Sequence, residues 1–209
     1  MPRPSTSTQE RLIDAGRQLL AEQGFSGLGL RAVAARAKVN LGMFNYHFKG
    51  KEDFVRQVAQ GVYEDFFKDL SLDVEGEKDP LRALRKGLLA LARFTREQRL
   101  LLKAIVKDLL LGNAEARRFA LANGPRHGKL ILGLVERCQK EGKLARHPRA
   151  MVMTLLMSGI GAPNLMADAV IAAAPKLPFG LTKKIVEQSL LSDKALELRV
   201  DLLLKALKP

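Results

Sequence analysis

Apolar positions recur at helical spacing along the whole chain, and no stretch shows strand-like alternation. Leu12, Ile13, Gly16, Leu19 and Leu20 form the inner stripe of a first helix, capped by Ser7 or Thr8 and ended by Gly24. Phe25 then plugs a small core. Residues 30–37 read as a two-turn helix with Val33, Ala34 and Ala37 inward, and Lys38-Val39-Asn40 is a tight turn. Asn40 starts the next helix, because its side-chain oxygen can take up a free backbone N–H. Phe44 and Phe48 lie four apart and share one face of it; Leu41, Met43, Asn45 and Tyr46 point elsewhere. From periodicity alone this pair fits a helix-turn-helix and an ordinary helical hairpin equally well.

Lys49-Gly50 breaks the chain before a long helix over residues 51–70. Phe54, Val55, Val58, Ala59, Val62, Phe66 and Phe67 give it a wide apolar stripe. Glu52 and Asp53 suit the positive end of that helix; Lys51 opposes it. A DNA phosphate nearby would account for the lysine, and so would plain solvation. Residues 73–79 are charged and interrupt the pattern, and Asp79-Pro80 restarts it as a cap followed by proline at the first helical position. Helices follow over 80–96 and 98–111, stopped by Gly112-Asn113. A break is expected at Asn123-Gly124-Pro125, then a helix over 125–141 ending at Gly142. Residues 150–167 carry no charge and approach the roughly 20 apolar residues of a membrane span. Pro163, Asn164 and the Ser158-Gly159-Ile160-Gly161 cluster interrupt them, so the segment reads as a buried helix of a soluble protein. After a loop over 175–180 and one more helical piece, Ser192 caps a last helix over 193–207. Leu196, Val200, Leu203 and Leu207 form one of its stripes; Ala195, Leu198, Leu202 and Ala206 form a second. One stripe can face its own core, and the other wants a partner, most economically a second copy of the chain.

The fold expected is therefore all-α, and 209 residues allow one large or two small domains. Net charge changes the picture: +13 favours a polyanion, nucleic acid or an acidic membrane surface. Its distribution does not say where. Residues 1–56 hold 9 Lys and Arg against 5 Asp and Glu, which is +4, and the remaining 153 residues hold 26 against 17, which is +9. Residues 1–8 read as a flexible basic arm without the apolar core of a signal peptide, and the single Cys138 fits a reducing, cytoplasmic setting. Gly124-Pro125-Arg126-His127-Gly128-Lys129 is one residue short of a phosphate loop and has Leu130 in place of Ser or Thr. His47, His127 and His147 show no metal spacing, and no nucleophile–base pair stands out. Neither catalytic residues nor a metal or cofactor are expected.

The ordered residues Arg11-Leu12-Ile13-Asp14-Ala15-Gly16, Gly24-Phe25, Val33-Ala34-Ala35-Arg36-Ala37-Lys38-Val39 and Tyr46-His47-Phe48-Lys49-Gly50-Lys51-Glu52-Asp53-Phe54 resemble the tetracycline-repressor (TetR) family. Three positions depart from its pattern: Gly29 where Ser or Thr usually caps the second helix, Lys38 where the turn usually has Gly, and Asn45 where Tyr is common. The resemblance implies a three-helix DNA-binding domain over residues 1–53 and a helical effector-binding and dimerisation domain over 54–209. It implies a ligand-responsive regulator, most readily a repressor, that binds a palindromic DNA operator as a homodimer; the alternative is a constitutive or architectural DNA-binding protein. Arg31, Leu41, Gly42, Met43 and Tyr46 would face base edges; Asn45, His47 and Lys51 would hold phosphates, beside the cap Asn40. Phe66, Phe94, Phe119, Met153 and Met157 are candidates to line a small-molecule effector pocket. Ser158, Gly159, Gly161, Ala162, Leu196, Val200, Leu203 and Leu207 are candidates for the dimer interface.

Overall fold

A computed structural model describes residues 7–173 and 182–209. The basic arm and the loop over 175–180 lie outside the described residues, apart from Ser7 and Thr8. Ten helices and no strand occur among those described: α1 (Thr8–Gly27), α2 (Leu30–Ala37), α3 (Leu41–His47), α4 (Lys51–Val74), α5 (Pro80–Glu97), α6 (Arg99–Leu110), α7 (Ala114–Lys140), α8 (Arg149–Ala173), α9 (Lys183–Leu191) and α10 (Asp193–Ala206). They fall into two compact units, one of Met1–Asp65 with Leu100–Gly124, the other of Phe66–Arg99 with Pro125–Pro209.

In the first unit, Ser7 and Glu10 close a reciprocal capping box at the start of α1. Gly24, at φ 78°, interrupts the helical backbone where the sequence predicts an end, and 25–27 form one further turn. Leu12, Leu19, Leu20, Leu28, Val33, Phe44, Phe54 and Val58 make the core, each at 2% exposure or less. Phe44, Phe48 and Phe54 form an aromatic cluster with ring centroids 4.7 to 5.1 Å apart. Gly16 is required there: a β-carbon on it would stand 2.5 Å from the Phe54 ring and 2.8 Å from Val58.

The break expected at Asn123-Gly124-Pro125 does not end the helix. α7 runs through Pro125 from Ala114 to Lys140. Proline removes one N–H from the ladder and leaves carbonyls short of donors. Side chains brace the helix on the turn before the proline: Tyr63 Oη–H donates to the Asn123 carbonyl at 2.8 Å, and Asn123 Nδ2 donates to the Phe119 carbonyl at 3.0 Å. α8 likewise runs through the 158–161 cluster and Pro163.

In the second unit, α5 packs on α8 and α10. Ala83, Leu84, Leu88, Leu91 and Ala92 face Val152, Leu156 and Ile160 and the inner stripe of α10. Buried Asn164 ties the layers together, donating to the Ala92 carbonyl at 3.0 Å and to Thr95 at 2.8 Å while accepting from Arg199 at 3.1 Å. Arg85 grips Asp201 through two hydrogen bonds of 2.6 and 3.0 Å, joining α5 to α10. Buried Cys138 is a free thiol, and burial pushes its pKa up to about 11. It is protonated at neutral pH and chemically quiet.

Candidate nucleic-acid interface

Two short helices cannot hold a reading surface by themselves, so the geometry of α2–turn–α3 depends on what fastens its ends. The end of α2 is closed by a left-handed Lys38 at φ 53°. Its N–H donates to Ala35 O at 3.1 Å and the Val39 N–H to Ala34 O at 3.0 Å, the paired bonds of a Schellman cap. Arg11 reaches across from α1 and donates to the carbonyls of Ala37 at 2.5 Å and Lys38 at 2.7 Å. Asn40 caps α3, accepting from the Gly42 N–H at 2.8 Å. No side chain caps α2, because Gly29 has none to offer. Lys49-Gly50 turns into α4, held by Asp53, which accepts from the Lys49 N–H at 3.2 Å, from Arg56 at 2.6 Å and from Gln57 at 3.0 Å. The Lys49 N–H, followed by the Arg56 and Gln57 bonds, keeps the Asp53 carboxyl below the usual range.

This frame buries Phe44 completely and turns its neighbours outward: Leu41 is 38%, Met43 40% and Tyr46 81% exposed. Gly42 and Asn45 are exposed beside them, and so is Arg31 on α2. Arg31 has no hydrogen bond or ion pair among the described residues, whereas Arg36 is engaged by Glu22 at 2.6 Å. Two expected phosphate contacts have other engagements. Lys51 Nζ donates to the Ser26 carbonyl at 3.4 Å, which is one reason a cation is tolerated at the start of α4. His47 buries Nε2 without a partner, its ring edge-on to Tyr46 at 5.0 Å, so only its other nitrogen is left to meet a phosphate.

One positioning residue went unread in the sequence. Asp108, at 0% exposure on α6, accepts from the Phe25 N–H at 2.6 Å, the Ser26 N–H at 3.2 Å and the Ser26 hydroxyl at 3.0 Å. Asn113 donates to the same hydroxyl at 3.0 Å. The α1–α2 connection is thereby pinned to α6. The signal was present: Asp108 continues the buried stripe Leu101, Ala104, Ile105 at helical spacing.

The other candidates separate. Phe66 and Phe94 stack at 4.0 Å and 21°, with His127 edge-on to Phe66 at 6.0 Å. Phe119 belongs to the first unit instead, against Phe25 at 5.9 Å and Tyr63 at 6.3 Å. Met153 and Met157 are half-buried on α8. Leu196, Val200 and Leu207 are buried inside their own unit, and Leu203 lies where a β-carbon on Gly159 would come within 2.7 Å of it. Gly161 is half-buried; Ser158 and Ala162 are exposed, as are Leu198 and Leu202 on the outer stripe of α10.

A buried aromatic core that fastens two short helices and exposes the second of them defines a helix-turn-helix domain. Residues 12–58 match the family described as bacterial regulatory proteins, tetR family. Over these residues the chain is similar to that family's DNA-binding domain. It is 32% identical over 87 residues to the HTH-type transcriptional repressor DhaR of Mycobacterium sp. (strain GP1), a match covering 41% of this chain and 44% of that protein. It thus spans under half the length of that relative. The fold extends further. The TetR family regulator PfmR of Thermus thermophilus superposes with a TM-score of 0.70 at 18% identity, covering 98% of this chain and 99% of the other. FadR of Bacillus subtilis, in complex with stearoyl-CoA, superposes at 0.65 and 19% identity, covering 91% and 96%.

Proposed function

We propose that this protein is a ligand-responsive transcriptional repressor that binds a palindromic operator as a homodimer. The observation that carries the reading is the outward face of Arg31, Leu41, Gly42, Met43, Asn45 and Tyr46 over a completely buried Phe44. α3 is short enough to lie in a major groove, where side-chain identity meets base identity. Residues 1–53 form the DNA-binding module, and 54–209 serve dimerisation and the effector. A DNA partner fits a cytoplasmic protein. α8 is long and apolar enough to cross a membrane, but one of its faces packs on α5, α9 and α10. The apolar side chains it leaves outward, Met151, Leu155 and Met166, together with Leu198 and Leu202 of α10, suit a second copy better than lipid. The polar groups on the same faces, Ser158 and Asp201, support that choice.

The effector is mostly apolar, near the Phe66–Phe94 stack, and the excess of positive charge leaves room for an anionic group. FadR, of the same fold, is seen with stearoyl-CoA, a ligand of that chemistry. α4 runs unbroken from Lys51 to Val74, so a ligand at Phe66 acts on the helix that begins beside the reading face. Coupling of this kind is reciprocal, typically ~1–3 kcal/mol.

Selection from random duplexes should return a palindrome with half-sites about one helical turn, ~34–36 Å, apart or a multiple of it. Recovery of single half-sites alone refutes the dimeric reading. For an acyl-CoA probe, calorimetry with and without that palindrome should give affinities differing by the same factor in both directions; equal affinities leave a constitutive binder.

A further inference from the structure

The first compact unit contains a largely enclosed cavity of about 150 Å³ between α1, α4 and α7, lined by Phe25, Arg56, Gln60, Glu115, Arg118, Phe119 and Ala122. We propose that it is a binding site for a neutral, single-ring aromatic that carries a hydroxyl, of which phenol is the simplest. It belongs to the other compact unit from the Phe66–Phe94 stack, and it stands whether or not the chain reads an operator.

Size limits the occupant first. An apolar cavity of this volume takes one benzene ring. Two walls are aromatic: the Phe25 and Phe119 rings lie 5.9 Å apart, tilted by 48°, an arrangement that offers a third ring an edge-to-face contact. The alkyl stems of Arg56 and Arg118 extend the apolar wall while their exposed heads sit at the rim. Charge limits the occupant next. Arg56 is paired with Asp53 at 2.6 Å and Arg118 with Glu115, so each cation has its own carboxylate one turn away. The lining offers no surplus positive charge to an anion. Gln60 and Asn123 already exchange two hydrogen bonds of 3.0 Å. The remaining acceptor capacity lies on Glu115, whose carboxylate takes Arg118 on both oxygens and keeps further lone pairs for one more donor. Its side chain is 22% exposed, while Arg118 and Arg56 are 66% and 67% exposed. An ionised carboxylate accepts and does not donate, so it selects a hydroxyl over a carboxylate on the ring.

The test uses the full chain with phenol, toluene and benzoate followed by ligand-detected NMR titration. Phenol should bind saturably at millimolar concentration, with toluene several-fold weaker and benzoate weaker still. Ala122→Leu fills the cavity and should abolish phenol binding. Glu115→Gln keeps the shape and should weaken phenol at least five-fold while leaving toluene unchanged, with circular dichroism confirming the fold of both variants. Phenol binding that survives Ala122→Leu, benzoate binding as tightly as phenol, or no saturation by phenol overturns the assignment.

Discussion

At the scale of single residues, chemistry separates reading from holding. Arg31 exposes a guanidinium whose fork matches guanine O6 and N7, a pair worth about 1–3 kcal/mol of discrimination. Arg31→Ala should therefore relax preference at one base pair, measured by binding to a panel of single-base operator variants. Lys51→Ala should weaken all sequences alike and lower the slope of log K against log salt by about one unit. Interchanged profiles would refute the roles. Asp108 is a holding residue. Removing its carboxylate leaves the buried Phe25 N–H without an acceptor, a loss of about 1–3 kcal/mol per unmet group. Asp108→Ala should lower the urea midpoint, and Asp108→Asn, which keeps one acceptor oxygen, should lower it less. Equal midpoints for Ala and wild type would show that the latch is ornamental.

Among the elements, caps decide where helices begin and end. Asp79 caps α5 through the Leu81 N–H at 2.9 Å and takes Lys143 at 3.1 Å. The Lys143 ammonium, then the Leu81 N–H, hold its carboxyl below the ordinary aspartate value. A carboxylate lowered in the folded state stabilises above its unfolded pKa and loses that contribution as pH falls through the folded one. Stability should thus decline on acidification, beginning near the ordinary aspartate value. In Asp79→Asn, which can still cap but cannot pair with Lys143, the decline should be shallower, as followed by denaturation midpoints across that range. Glu77, held low by Lys86, and Asp201, held low by Arg85, keep some acid dependence in the variant. An unchanged slope would remove Asp79 from the acid response. The uncapped α2 and the left-handed Lys38 mark where this chain departs from the tetR-family pattern that residues 12–58 otherwise match. Arg11 secures the Lys38 end of the helix by donating to the Ala37 and Lys38 carbonyls.

For the whole molecule, the exposed apolar faces of α8 and α10 need a cover. Leu202 is 56% exposed, so Leu202→Glu costs the isolated chain little. It should nevertheless shift sedimentation from dimer to monomer and abolish tight operator binding, because two half-sites need two linked domains. Val200→Glu, at a position of 0% exposure, should instead unfold the chain. A Leu202→Glu protein that remains a dimer would place the interface elsewhere.

The sequence alone determined most of the helices, because their periods and caps are local matters, while the choice of helix-turn-helix over a plain hairpin came from the resemblance of residues 11–54. Spacing four apart placed Phe44 and Phe48 on one buried face, Asn40 announced a cap, and Val33, Ala34 and Ala37 turned inward as their period requires. Tertiary structure decided what local rules cannot weigh. Pro125 is carried inside α7, where Tyr63, sixty residues from Asn123 along the chain, braces the preceding turn by donating to the Asn123 carbonyl. Asp108 is buried because distant N–H groups wait for it. Of two apolar stripes on α10, equal by periodicity, the one bearing Leu196 and Val200 turned inward. Packing against α5 and α8 settled that choice, and a one-dimensional pattern carries no term for it.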